Sequence, residues 1–118
     1  MKGEHMDEEV ELIADSRTCE KCHMLSKRHS VARRVIVTLK GRLTMYYAKY
    51  FCPVCLVHFS ESGEEYAPAH SRYGWDVIRE VCRLRARKMT YRVITERFAE
   101  IGIRMPTTSA HDIVTRGV

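Results

Sequence analysis

With 118 residues, the chain is long enough for one domain or two very small ones and for one modest hydrophobic core, so a second unit would need a staple. Lys and Arg number 20 against 15 Asp and Glu, but residues 1–15 hold six acids and one Lys (net −5), leaving 19 basic and nine acidic residues (net +10) in 16–118. A body this basic suits a polyanionic partner and, equally, mere solubility. No apolar run approaches the ~20 residues of a bilayer span, and MKGEHMDEEVELIAD lacks the apolar stretch of a secretory leader, so the expectation is a cytoplasmic protein with no membrane partner.

In chain order, Glu4, Asp7, Glu8, Glu9, Glu11 and Asp15 mark residues 1–15 as an acidic N-terminal arm, mobile at its start. TCEKCH (18–23) then brings a first cysteine pair. VARRVIVTLKG (31–41) is β-branched and ends on Gly, and RLTMYYAKYF (42–51) mixes aromatics with alternating polar positions. Together they predict a hairpin turning at Lys40 and Gly41. FCPVCLVHF (51–59) brings the second pair, with LVHF as a third short strand. SESGEEYAPAHSRYG (60–74) has Gly, Pro, Ser and Glu but no period, and reads as a linker or extended loop.

From Trp75 the pattern becomes helical. Trp75, Ile78, Val81, Cys82 and Arg85 recur at three and four, which predicts an amphipathic helix from about Gly74 to Lys88 with Cys82 buried on its apolar face. Thr90 is the expected N-cap of a second helix carrying Ile94, Phe98 and Ile101, and Gly102 its stop. MPTTSAHDIVTR predicts a third helix, capped by Thr107 or Thr108 and packed through Ala110, Ile113 and Val114. The expected fold class is therefore α+β, divided into an arm (1–15), a zinc ribbon (16–60), a linker (61–73) and a helix-turn-helix (74–118).

Cys19 and Cys22 form one C-x-x-C, and Cys52 and Cys55 another, with 29 residues between them for the hairpin. Cytosolic thiols stay reduced and five is an odd count, so a disulfide framework is disfavoured. Two knuckles of two thiolates complete a tetrahedral shell, which predicts one Zn²⁺ per chain. Such a closed shell leaves no open position, so the metal is structural. Redox dithiols remain an alternative, but they need a βαβ context that neither pair has. His23 and His58 lie beside the knuckles, yet four cysteines make them unnecessary as ligands.

The back half has the element lengths of a helix-turn-helix, with GIRMP as the tight connection. Arg87, Lys88, Thr90, Tyr91 and Arg92 fall where such a motif crosses the phosphate backbone. With Ala110, Ile113 and Val114 inward, Thr107, Thr108, Ser109, His111, Asp112 and Arg116 are left facing a major groove. A plain three-helix bundle with a solvated face fits the same period, and the nearly one-signed run RLRARK (83–88) tips the balance toward DNA.

YFCPVCLVHF and YAPAHSRYGWDVIREVCRLRARKMTYRVITERFAEIGIRMPTTSAHDIV resemble the N-terminal region of prokaryotic insertion-sequence transposases, archaeal ones especially. In that region a zinc ribbon precedes a basic helix and a helix-turn-helix. The resemblance covers residues 50–114, and more loosely 19–114. It implies binding of double-stranded DNA at the element's terminal repeats, and it carries over at the four cysteines and at Thr107, Thr108, Ser109, His111 and Asp112. Those transposases continue into a nuclease domain, whereas these residues hold no catalytic constellation, so the expectation is a DNA-binding part or a derived regulator and not an enzyme. The competing reading is a zinc-ribbon protein-interaction adaptor using the arm or the aromatic hairpin. A homodimer is compatible with both.

Overall fold

The computed structural model describes residues 7–61, 63–69 and 71–117. It is a mixed α+β structure of five strands followed by three helices: β1 (Glu8–Leu12), β2 (Ser16–Thr18), β3 (Leu25–Thr38), β4 (Gly41–Cys52), β5 (Val57–Ser60), α1 (Trp75–Ala86), α2 (Tyr91–Glu100) and α3 (Thr107–Arg116).

The β3–β4 hairpin is the spine. Its ladder runs from Thr38↔Gly41 to Lys27↔Phe51, and the Thr38 hydroxyl closes the tip by donating to the Gly41 carbonyl at 2.8 Å and accepting the Lys40 and Gly41 amides. One register shift, between Arg28 and Ser30, leaves His29 as a bulge. β4's far edge is covered along most of its length: β1 runs parallel along Leu43–Tyr47, and β5 runs antiparallel along Lys49–Cys52. β2 covers only the start of β3.

The hairpin tip is packed on both faces because successive strand residues point oppositely. Ile36 joins Leu43, Met45 and Ala67 in a small core, with Val10 and Leu12 of β1 and Tyr66 against it. Its neighbour Val37 packs instead on the main core, which Tyr73 shares with Val77, Val81 and Leu84 of α1, Ile94 and Phe98 of α2, and Ala110 and Ile113 of α3. No helix among the described residues is long and apolar enough to cross a membrane.

Four expectations need correction. The described part of the acidic arm contains a strand: Val10 and Leu12 turn inward while Glu8, Glu9 and Glu11 stay exposed, and pairing with β4 supplies the backbone partners. Residues 1–6 lie outside the described residues. The segment drawn as a linker is packed, since the Arg34 guanidinium donates to the carbonyls of Pro68 (2.6 Å) and Ser71 (2.5 Å), and the Val37 amide donates to the Arg72 carbonyl (2.8 Å). Cys82 is exposed, because α1 buries Val77, Ile78, Val81 and Leu84. The N-cap of α3 is Pro106, with no side-chain cap, and both threonines lie inside the helix.

Candidate metal centre and nucleic-acid interface

The two C-x-x-C pairs sit in equivalent hairpins at the end of the sheet away from the helices. The first links β2 to β3 and the second β4 to β5, and each folds back the same way: His23 N–H donates to the Cys19 carbonyl (2.8 Å) and Leu56 N–H to the Cys52 carbonyl (2.9 Å). The residue after each second cysteine is left-handed, His23 at φ 62° and Leu56 at φ 58°. Neither has glycine's freedom there, so both turns carry strain held in place by the strands on either side.

These turns bring four sulfurs together, all within 4.8 Å of one another. Cys22 Sγ lies 3.4 Å from Cys52 Sγ, and Cys19 Sγ lies 4.0 Å from Cys55 Sγ. A tetrahedral ion with metal–sulfur bonds of ~2.3 Å sets its sulfurs about 3.8 Å apart, so the cluster fits such an ion with small adjustments. His58 is not part of it. Its ring rests on Phe51 (5.0 Å) and on the bulged His29 (5.1 Å).

Hydrogen bonding already divides the thiols. The Cys55 amide donates to Cys52 Sγ at 3.3 Å and pulls that thiol down to about 6, while hydrogen bonding to Cys22, together with desolvation, pushes Cys55 up to about 12. At Cys22 the Met24 amide acts downward, but Cys52 and desolvation together outweigh it and leave that thiol raised. Metal capture must therefore expel protons, and affinity falls as the pH is lowered.

Two of the expected DNA-contacting side chains, Tyr91 and His111, meet across helices. Arg87 and Lys88 follow α1, and Thr90, Tyr91 and Arg92 begin α2. The Arg85 guanidinium lies 4.5 Å above the Tyr91 ring, whose edge meets the His111 imidazole of α3 at 5.3 Å. Arg85, Tyr91 and His111 thus join three helices, with His111 exposed at the outer end. Sequence reasoning put Arg85 on the apolar stripe of α1, and no spacing rule reveals a stack between helices.

Other residues have more definite duties than their sequence positions suggest. The Thr90 hydroxyl accepts the Val93 amide at 3.3 Å and so caps α2. Arg92 pairs with Glu96 at 3.2 Å, which partly neutralises it. Thr107, Thr108 and His111 are exposed, and Ser109 and Asp112 are half-buried. Asp112 and Arg116 form no ion pair among the described residues; the Thr115 hydroxyl instead donates back to the His111 carbonyl at 2.9 Å.

Lys88 ends α1 in the left-handed region at φ 65°, with its amide on the Arg85 carbonyl (2.8 Å) and the Met89 amide on the Leu84 carbonyl (3.3 Å). This is the helix ending that usually takes Gly. Lys88→Gly is therefore expected to raise thermal stability by about 0.5–1 kcal/mol, measured by melting, while lowering affinity for any polyanion that Lys88 contacts.

Comparison with protein-family models, with curated proteins and with solved structures finds no match to this chain.

Proposed function

We propose that this chain is a sequence-specific double-stranded DNA-binding module: a structural zinc ion on Cys19, Cys22, Cys52 and Cys55 holds a ribbon, and α1–α3 act as a helix-turn-helix. The observation that carries the reading is the chain of contacts from Arg85, near the basic end of α1, through Tyr91 of α2 to the exposed His111 of α3. In this reading, Arg87 and Lys88 contact phosphates and α3 enters the groove. Ser109 and His111 reach base edges, and Asp112 accepts from a cytosine amino group. The resemblance to the terminal-repeat-binding region of transposases supports the same assignment, and a cytoplasmic site of action goes with it. A four-thiolate shell also accepts iron; metal analysis and a colourless protein separate zinc from it.

Selection from a random duplex pool, followed by titration over a salt series, tests the reading. Arg87→Ala and Lys88→Ala are each expected to lower the salt slope by about 0.9 and to weaken all sequences alike, with a smaller effect from Arg92→Ala because Glu96 already pairs with it. His111→Ala and Asp112→Ala are expected to cost about 1–3 kcal/mol at single base positions. No enriched sequence, together with uniform losses for the α3 variants, would remove helix three from the readout.

One observation favours the adaptor reading. Leu25 (61 % exposed), Val54 (57 %) and Leu56 (71 %) place bare aliphatic groups around the cysteine knuckles, where a protein partner would cover them. If Leu25→Ser and Leu56→Ser abolish capture of a protein partner while duplex affinity is nil, the adaptor replaces the DNA module.

A further inference from the structure

Between the tip of the β3–β4 hairpin and the turn joining α2 to α3 lies a cleft of about 440 Å³. Three arginines line it from three separate stretches of chain: Arg42 at the start of β4, Arg72 from the segment before α1, and Arg104 from the α2–α3 turn. Among the described residues, the ion pairs involve other side chains and none of these three. The one acid on the rim is Asp7, whose Oδ1 accepts the Arg42 amide at 3.1 Å. Three guanidinium groups against one carboxylate leave a net charge of +2 on the cleft.

The backbone fixes the points from which these arginines leave the chain. Arg42 is paired with Val37 in the hairpin ladder, and the Arg72 carbonyl accepts the Val37 amide at 2.8 Å. Arg104 is exposed between Ile103 and Met105, which are 5 % and 6 % exposed, and the Ile103 amide is tied to the Phe98 carbonyl at 2.9 Å. Like charges fixed around one concavity raise its potential, and an anion relieves it. The guanidinium fork matches phosphate oxygens in particular.

We propose that this cleft binds a backbone phosphate of the DNA duplex, clamped by Arg42, Arg72 and Arg104. The proposal rests on the DNA-binding reading and extends it to the sheet. Arg104 stands two residues before Pro106, the N-cap of α3, so a phosphate seated here flanks the groove that the helix enters. The hairpin tip then grips the backbone beside the reading helix, and the sheet contributes to affinity as well as to support.

The test uses the full chain with Arg42→Gln, Arg72→Gln and Arg104→Gln, singly and together, after metal content and melting confirm folding. The triple variant is expected to lower the salt slope of duplex binding by about 0.9, the share of one phosphate, and each single change to weaken duplex binding by part of the triple variant's loss. Lys21→Gln, which removes the same charge from a cysteine knuckle, is expected to leave the slope unchanged. In parallel, inorganic phosphate should give saturable amide shifts at Arg42, Arg72 and Arg104 in the wild type and none in the triple variant. Duplex binding whose slope is untouched in the triple variant overturns the cleft and leaves the DNA reading standing. A wild type that binds no duplex, yet saturates with inorganic phosphate at these residues, overturns the duplex as the occupant and makes a small phosphorylated molecule the ligand.

Discussion

Cys52→Ser is expected to strip the metal and unfold the sheet end of the protein. Cys52 is fully buried at the last position of β4, its sulfur meets Cys22 at 3.4 Å, and it accepts the Cys55 amide. Structural zinc supplies ~10–16 kcal/mol of apparent binding energy in small zinc-dependent folds, and beyond it the β-rich half has a small core around Ile36, Leu43, Met45 and Ala67, with Ala48 and Tyr50 also buried. A loss of even ~3 kcal/mol lowers the melting temperature by about 12 °C or more. Metal analysis should give one ion per wild-type chain and far less in the variant, with strand signals lost on circular dichroism. Cys82→Ser serves as the control, because that thiol is exposed and distant in role, and it should change neither. Acidification should mimic the variant, since protons compete for the same sulfurs. Well-folded protein with substoichiometric metal would remove the ion from the account of stability.

Phe98→Ala is expected to be the most damaging change in the helical half. Phe98 is 2 % exposed at the centre of the core that unites all three helices, and truncation of a buried Phe costs about 3–5 kcal/mol. That is a large share of the ~5–15 kcal/mol that holds a typical domain together. Amide exchange should show α1, α2 and α3 losing protection together, while the metal remains bound and the cysteine end of the hairpin stays protected. The helices meet the sheet mainly through Val37, Tyr73 and the hydrogen bonds of the Arg72–Gly74 segment, a narrow seam for transmitting collapse. Release of the metal in step with helix melting would show instead that both halves unfold as one.

Local signals in the sequence carried much of this structure. The two cysteine pairs converge as their spacing implied, the hairpin turns one residue before the expected place, with Gly41 already in β4, and Thr90 caps α2. β1 was missed for a physical reason: its partner strand lies 35 residues away, and a parallel pairing leaves no turn signal between neighbours. Its inward Val10 and Leu12 do alternate with glutamates, but acids dominate the stretch. Cys82 was misplaced by the choice of stripe. At 100° per residue the buried set Val77, Ile78, Val81 and Leu84 is centred about 75° from the expected stripe, which puts Cys82 about 110° from its centre. The Arg85–Tyr91–His111 stack and the arginine cleft depend on how elements are docked, and one-dimensional periodicity does not encode docking.

The distance from hairpin tip to cysteine knuckles has a consequence for how the chain finds its alignment. A two-residue connection at Leu39–Lys40 closes the ladder, and the sulfurs lie at its far end, beyond the pairs from Thr38↔Gly41 to Lys27↔Phe51. A slip of one residue anywhere along that ladder turns every later side chain of one strand to the opposite face. Cys52 would then point away from Cys22, and four thiolates could not share an ion. A metal ion on these four cysteines would therefore act as a proofreader of strand register, fastening only hairpins whose residues are correctly aligned.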